Sequence, residues 1–587
     1  MDEYVNGYNG YGGYGSSRKC DRYRRKISRD DSDSSYDDGH LLSWDQVMCH
    51  ALSDNRRDVV LALAYRHPET LRARCSMYNS VLDYAIHRNS DLVEPLLQAG
   101  AFVSDRLMVD VACNPPSWNP RRDSGYRSDS DYGSDSSLLV LFLRLNKGDP
   151  NANYNGKHPM NCAASKCHAS EVQMLLEAGA YVDARDRQGF TPLLDALAGG
   201  CDSLAEELIN YGADIQVQTD TGENALQVAC LKCSENAANS LLQKGIHVDH
   251  KDQKGRTALE SAAFHGCVGI VSALLDNPFT NVNDADSSGR TALFVALEAR
   301  GPGAVINMLL EKGADVNHED DHGMTPLMVA ATAGKDCQVL LQHGADVAKV
   351  DRAGNTALWY AASAGSAHSA GSLLQGGAGP LVNKPGALGK TPLAIASWNT
   401  HPEVAQVLVE HGADVNVKDA YGQVPLSLST QFTKHLNPSD KPVRTPQSIE
   451  TVDQWTARQH ALMGVLKVLV GARVNLDIYD FEGFTPLLNL LRYQKNGWGV
   501  PAQAEAFSQA AQSNANFLLA SGANPNMASR DYHISPLAFC AYNGYPQTAQ
   551  LLLQRGADKY AKNAAGKTPA QLCGGGAGQL QVAQMLR

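Results

Sequence analysis

Apolar positions along this chain recur at helical spacing in short blocks, each opened by a polar turn and closed by a glycine. The opening turn reads Asp, two variable residues, Gly, one variable residue, Thr, then Pro or Ala and Leu. Instances are "DRQGFTPLLDAL", "DQKGRTALESAA", "DSSGRTALFVAL" and "DRAGNTALWYAA". The closing stretch reads "LLxxGAD" or a variant, with its glycine at Gly179, Gly212, Gly245, Gly313, Gly344, Gly412, Gly522 and Gly556. From Thr191 to Asn224 to Thr257 the step is 33 residues, and from Thr257 to Thr291 to Thr325 it is 34. Two landmarks give one period independently, so the chain is an array of one repeated unit.

Each letter has a physical task. The turn glycine supplies a positive backbone angle, Thr caps the next helix with its hydroxyl, and Pro in the first turn gives up an amide that would lack a partner anyway. Leu and Ala at helical spacing bury against the neighbouring unit, a second helix supplies Val and paired Leu, and Gly ends it in a left-handed cap. The pattern predicts two antiparallel helices and a hairpin-like turn per unit.

These motifs resemble those of the ankyrin-repeat family, and they recur over nearly the whole chain. The resemblance implies an all-α solenoid of helix-turn-helix units with hairpin turns, about 12–14 units counting degenerate caps, with a projecting row of turns and a concave face lined by first helices. Two departures stand out. The His that often follows the family's Thr-Pro-Leu is absent from every copy, and some units are irregular, such as "ATAGKDCQVLLQHGAD", which is short between its helices.

The expected organisation is a disordered Gly, Tyr, Ser and Asp-rich tail over 1–40, carrying the basic cluster 18–29, followed by the array over 41–587. The segment from Trp44 has helical periodicity without the hairpin signature and suits an N-terminal cap, and Ser80–Val103 reads as a degenerate unit. Loop or disordered insertions are expected at about 114–136, 430–457 and 493–505, the first splitting a unit between "RLMVDVAC" and "LLVLFLRL". The last unit, with Gln579, Gln581 and Gln584 between apolar residues, suits a polar C-terminal cap.

Composition narrows the classes of function. At 587 residues with 43% hydrophobic and 7% aromatic, the chain has enough apolar surface for a folded body, and it shows no membrane span and no secretory leader pattern. A net charge of -11 argues against a nucleic-acid wrapping surface, the basic run "RKCDRYRRKISR" being a local exception that suits a nuclear-import signal, a weak nucleic-acid contact or a solvated tail. Most of the thirteen cysteines, scattered singly, read as small buried hydrophobes in a reducing compartment rather than as disulfides. Cytoplasmic or nuclear localisation and a monomeric state are the corresponding expectations.

No enzyme emerges from the motifs. "HEDDH", His318 to His322, matches a zinc-protease pattern by letter but stands in a hairpin position, and "AKNAAGKT", Ala561 to Thr568, matches a phosphate loop without the strand that chemistry needs. "CLKC", Cys230 to Cys233, is a lone pair. No catalytic residue, metal or cofactor is therefore expected. A metal enzyme acting through His318, Glu319 and His322 is the alternative of a different class, and it requires stoichiometric zinc.

Protein partners are the expected ligands. The resemblance carries partner contact onto variable turn positions and the exposed ends of first helices: Arg187, Phe190, Lys254, Arg256, Phe264, His265, Arg290, His322, Met324, Arg352, Tyr421, Phe481 and Phe484. Aromatic and Arg side chains are those that dominate interface energy. Ser28, Ser124 and Ser128 are phosphorylation candidates, with Arg or Asp at kinase-preferred spacing. "DSGYRS", which holds two of them, resembles a phosphorylation-dependent degron found with ankyrin repeats in cytoplasmic inhibitors of Rel-type transcription factors, though placed inside the array here. Two readings follow: a non-enzymatic scaffold or adaptor presenting an extended surface, and a phosphorylation-regulated inhibitor that sequesters a transcription factor or other partner and is turned over.

Overall fold

The computed structural model describes residues 43–53, 56–66, 68–75, 80–88, 90–113, 138–145, 147–299, 303–431, 452–492 and 501–587. Among the described residues there are helices and turns and no strand, and the isolated bridges Gln218 to Asn224 and Ala285 to Thr291 sit in the hairpins. The architecture is an all-α solenoid. The chain divides into two compact units at Thr280 and Asn281, and the described helices pair as seven consecutive hairpins before that point and eight after it.

The repeat around Thr191 shows why these residues fold this way. Thr191 is extended and its hydroxyl accepts the amide of Leu194, Pro192 opens the helix Pro192–Gly199, and Gly200 closes it at φ 79°. The second helix, Asp202–Asn210, follows at once and buries Leu204, Ala205 and Leu208. The same cap is formed by Thr257, Thr325, Thr356, Thr391 and Thr485, while Asn224 and Ser535 substitute for it with their own side chains. Such a cap contributes about 1 kcal/mol. The helices of a regular unit run for five to nine residues, below the roughly 12–15 at which an isolated helix becomes even marginal. Stability therefore resides in packing between neighbouring repeats within each compact unit. Leu193, Leu197, Leu226 and Leu241 in the first unit, and Leu327, Leu340, Leu358 and Leu373 in the second, are almost wholly buried, each worth about 1.5–3 kcal/mol.

The aspartate that begins most of the turns has a role that the letters alone did not assign. Asp186 Oδ1 accepts the amides of Gln188 at 2.8 Å and Phe190 at 2.9 Å, and Asp252, Asp320 and Asp480 repeat the arrangement. One carboxylate thus locks the turn at both of its arms. Gly189 lies within it at φ 76°, and a Cβ there would meet Asp220 Oδ1 of the next turn at 2.6 Å, so both backbone angle and close approach demand glycine.

Two side-chain ladders join successive repeats. Asn151 Oδ1 accepts the amide of Tyr181, Asp183 that of Asp214, Asn383 that of Asp414 and Asn526 that of Asp558, at 2.7 to 2.9 Å. At the position where the family often has His, Gln227 donates to Arg256 O at 2.6 Å and the Trp359 indole donates to Lys390 O at 3.0 Å. In these two repeats another donor takes the place of the missing His, whereas Leu194, Met328 and Ala394 offer none at that position.

The cysteine expectation is corrected. Cys49 bonds Cys75, Cys113 bonds Cys162, Cys167 bonds Cys201 and Cys233 bonds Cys267. These sulfurs lie on neighbouring elements of the solenoid, 26 to 49 residues apart in the chain, so their single spacing in sequence conceals the pairing. Cys230, Cys337 and Cys540 are free and buried, as small hydrophobes. Helix Val452–Gly471 begins within the span expected as an insertion over 430–457, and helix Pro501–Ala520 within 493–505. The tail 1–40, the split insertion at 114–136 and most of 430–457 lie outside the described residues.

Candidate interaction surface

In the first unit, Arg187 and Lys254 stand exposed on turn tips whose backbones Asp186 and Asp252 lock, and Phe190 is half-buried. Arg256 is engaged at home. Its Nε donates to Asp252 Oδ2 at 2.7 Å and its Nη2 to Glu223 Oε1 of the preceding turn at 3.0 Å, so it clamps two hairpins instead of projecting. At the end of helix Ala258–His265, Phe264 is 52% exposed and meets the His265 ring edge-on at 5.2 Å.

The second unit repeats this division of labour. Arg290 is bound to Asp286 Oδ2 through Nε and Nη2 and reaches Glu298 through Nη1. Burial opposes ionisation of Asp286, but the Arg290 and Ser288 amides and the Arg290 guanidinium hold its carboxyl below the usual range. His322, Arg352, Tyr421 and Phe481 are exposed, while Met324 and Phe484 are half-buried. The Arg492 guanidinium lies 4.5 Å over the Phe484 ring, which also faces Phe539 at 6.3 Å. Ser28, Ser124 and Ser128 lie outside the described residues.

Exposed aromatics that the motif reading passed over stand in the loops that follow second helices and lead into the next turn. Phe102 and Tyr181 each follow a left-handed glycine, Gly100 or Gly179, by two residues, and Phe279 and Tyr211 stand beside the second-helix ends of their repeats. Tyr181 is 68% exposed and Phe279 78%. The ladder uses the backbone amide of Tyr181, as it uses that of Asp214; Asp214 in addition accepts the amide of Gln216 through Oδ1, a bond that a tyrosine at the same position gives up. An aromatic at a position commonly Asp was the available signal.

The rejected enzyme motifs occupy turns. His318 Nε2 lies 2.9 Å from Gly289 O, while His322 points to solvent with Nδ1 3.8 Å from Asp320 Oδ2. The stretch around Lys567 is a turn in which Asn563 Oδ1 accepts the amides of Ala565 and Lys567. Cys233 of "CLKC" is disulfide-bonded, and burial pushes the Cys230 thiol up to about 12. Among the described residues no group of three or more His, Cys, Asp or Glu is placed to hold a metal, and no helix is long and apolar enough to cross a membrane.

Overlapping matches to the family described as "Ankyrin repeats (3 copies)" run from residue 130 to residue 419, and residues 532–564 match "Ankyrin repeat"; together they cover more than half of the chain. Human ankyrin repeat and KH domain-containing protein 1 is 30% identical over 105 residues, 18% of this chain and 4% of its own length. The Neurogenic locus Notch protein of Drosophila melanogaster is 33% identical over 118 residues, 17% of this chain and 4% of its own. The Caenorhabditis elegans homolog of transient receptor potential cation channel subfamily A member 1 is 26% identical over 121 residues, 21% of this chain and 10% of its own. The chain thus spans a tenth or less of these relatives' lengths. With the capped helix pairs, the aspartate-locked turns and these matches, the chain belongs to the ankyrin-repeat family, whose repeats serve in general as protein-interaction scaffolds.

Proposed function

We propose that the protein is a non-enzymatic adaptor that holds protein partners on its turn tips and first-helix ends. The observation that carries this reading is the pairing of a locked turn backbone with an outward side chain. Asp252 Oδ1 fixes the amides of Lys254 and Arg256, and Arg256 then secures the turn, so Lys254 projects from a base that does not need ordering on binding. Preorganisation of this kind lowers the entropic cost of association. Exposed Phe264 in the first unit, and Tyr421 and Phe481 in the second, supply the aromatic anchors that dominate interface energy.

The test compares the intact chain with Lys254→Ala/Phe264→Ala and Tyr421→Ala/Phe481→Ala variants in cross-linked capture from cells, quantified by mass spectrometry. Partners lost from a variant whose helical circular dichroism and melting are unchanged would support the adaptor reading. Identical partner lists in all chains would refute it.

A further inference from the structure

The loop joining the two helices of a repeat reaches back and secures the end of the preceding repeat's first helix. In the second unit Lys335, directly after left-handed Gly334, donates through Nζ to Ala296 O at 3.0 Å and Ala299 O at 2.5 Å. His401, in the same register one residue after left-handed Thr400, has Nε2 3.2 Å from Ser363 O. Each contact satisfies a carbonyl at a helix end, where intrahelical donors run out.

In the first unit cysteine takes this place. Cys201 follows Gly200 and Cys267 follows Gly266, both glycines left-handed. Cys201 Sγ lies 3.3 Å from Ala164 O and Cys267 Sγ 3.2 Å from Cys230 O. The repeats just before them depart in a matching way: Cys167 and Cys233 occupy the left-handed position itself, at φ 60° and 54°, where glycine stands at Gly200 and Gly266. A residue with a Cβ rarely adopts that conformation. Cys167 is bonded to Cys201 and Cys233 to Cys267, each pair 34 residues apart, with Cα atoms at 5.2 and 5.1 Å. A non-glycine at each left-handed site therefore coincides with a cysteine one repeat onward in clasp position, twice in succession.

We propose that Cys167–Cys201 and Cys233–Cys267 are reversible redox clasps whose substrate is a dithiol reductant. Access sets the direction of attack. Cys167 is exposed and Cys233 half-buried, whereas Cys201 and Cys267 are buried at 5% and 1% exposure. A thiolate of the dithiol attacks the outer sulfur, forming a mixed disulfide and expelling the inner cysteine as thiolate, which takes up a proton. The second thiol of the dithiol then displaces the outer cysteine, which is protonated in turn. The pair gains two electrons and two protons, and the dithiol leaves as its disulfide. The reduced inner thiols already face the carbonyls of Ala164 and Cys230, so opening exchanges a covalent link for the kind of contact that Lys335 makes permanently in the second unit. Phe264 and His265 form the last turn before Gly266 and Cys267, which places an exposed aromatic pair next to the second clasp.

The experiment uses the full chain purified without reductant. Cysteines are alkylated differentially along a dithiothreitol series and read by peptide mass spectrometry, with amide hydrogen exchange followed in parallel. The expected result is that 167 with 201, and 233 with 267, become alkylated pairwise while helical circular dichroism is kept. Exchange over 159–275 should then rise at least tenfold, with 303–431 unchanged, and fall back on reoxidation. The Cys167→Ser/Cys233→Ser variant, with the other two disulfides intact, should show the raised exchange without any reductant. Free alkylation of these four sulfurs before reductant is added would overturn the proposal. Resistance to reduction until the helices melt would do the same, as would unchanged exchange over 159–275 on reduction and in the variant.

Discussion

Asn317 joins its repeat to the one carrying Asp346 through both ends of one amide: Oδ1 accepts the Asp346 backbone N–H at 2.8 Å, and Nδ2 donates to Gly344 O at 3.0 Å. Asn283 makes the same double contact with Asp315 and Gly313 one repeat earlier. Regular units have short helices, so such rungs set the spacing of the stack as much as the buried leucines do.

Removal of the rung gives the first prediction. Asn317→Ala breaks two hydrogen bonds at a solvent-exposed site and lowers stability by about 1–2 kcal/mol. Amide exchange at Gly344–Asp346 should quicken by roughly tenfold, while exchange over 159–275 stays as it was.

A second prediction concerns pH. The Asn161 side chain donates to Asp195 Oδ2 at 2.8 Å, and burial pushes this carboxyl up to about 7, the Asn161 bond opposing and the negative charge of Asp186 adding to the rise. Its unfolded value is near 3.8. The folded chain therefore binds the proton more tightly than the unfolded chain, and this residue's contribution to stability declines as pH rises from about 4 to about 7. Asp195→Asn should be more stable than the natural chain by about 4 kcal/mol at pH 8 and nearly equal to it at pH 4, as read from urea midpoints at the two values.

Two neighbouring cations should separate stability from binding. Arg256→Ala strips the partner from Asp252, whose side chain is 2% exposed, and also releases Glu223. It should cost about 2–3 kcal/mol, since a buried charge is left without its counter-ion. Lys254→Ala on the same turn should change the melting temperature by less than about 1 °C and act only on partner capture.

Lys390 offers a sharper case. Its Nζ is held 3.8 Å from Asp419 Oδ2 and 4.2 Å from the Trp398 ring centroid, with both charged side chains almost fully buried. Lys390→Ala leaves the Asp419 carboxylate without that cation and should destabilise the second unit by about 3 kcal/mol. A Lys390→Met/Asp419→Asn pair should recover most of the loss in equilibrium unfolding.

The period, the caps and the helix pairs were legible because they depend on local residue types: Thr before Pro, Gly after the last apolar turn, Leu at helical spacing. What joins repeats was less legible. An Asp that opens a turn looks the same whether its carboxylate binds its own backbone, as Asp186 does, or also an Arg, as Asp252 does. The disulfides were missed for a related reason: Cys167 and Cys201 meet only when the stack places equal registers side by side. Among the surface candidates, Arg256 and Arg290 carry the residue type of a binding anchor but spend it on adjacent carboxylates, while Tyr181, at the last position of the closing motif, and Phe279, four residues past its second helix, fall outside the turn-tip and first-helix positions.

The most direct test of the adaptor reading is quantitative capture with the Lys254→Ala/Phe264→Ala variant beside the natural chain, both verified to melt alike. The account predicts a reproducible set of proteins whose recovery falls at least tenfold with the variant. Recovery of that set undiminished, or no protein enriched above a bare support by either chain, would contradict it.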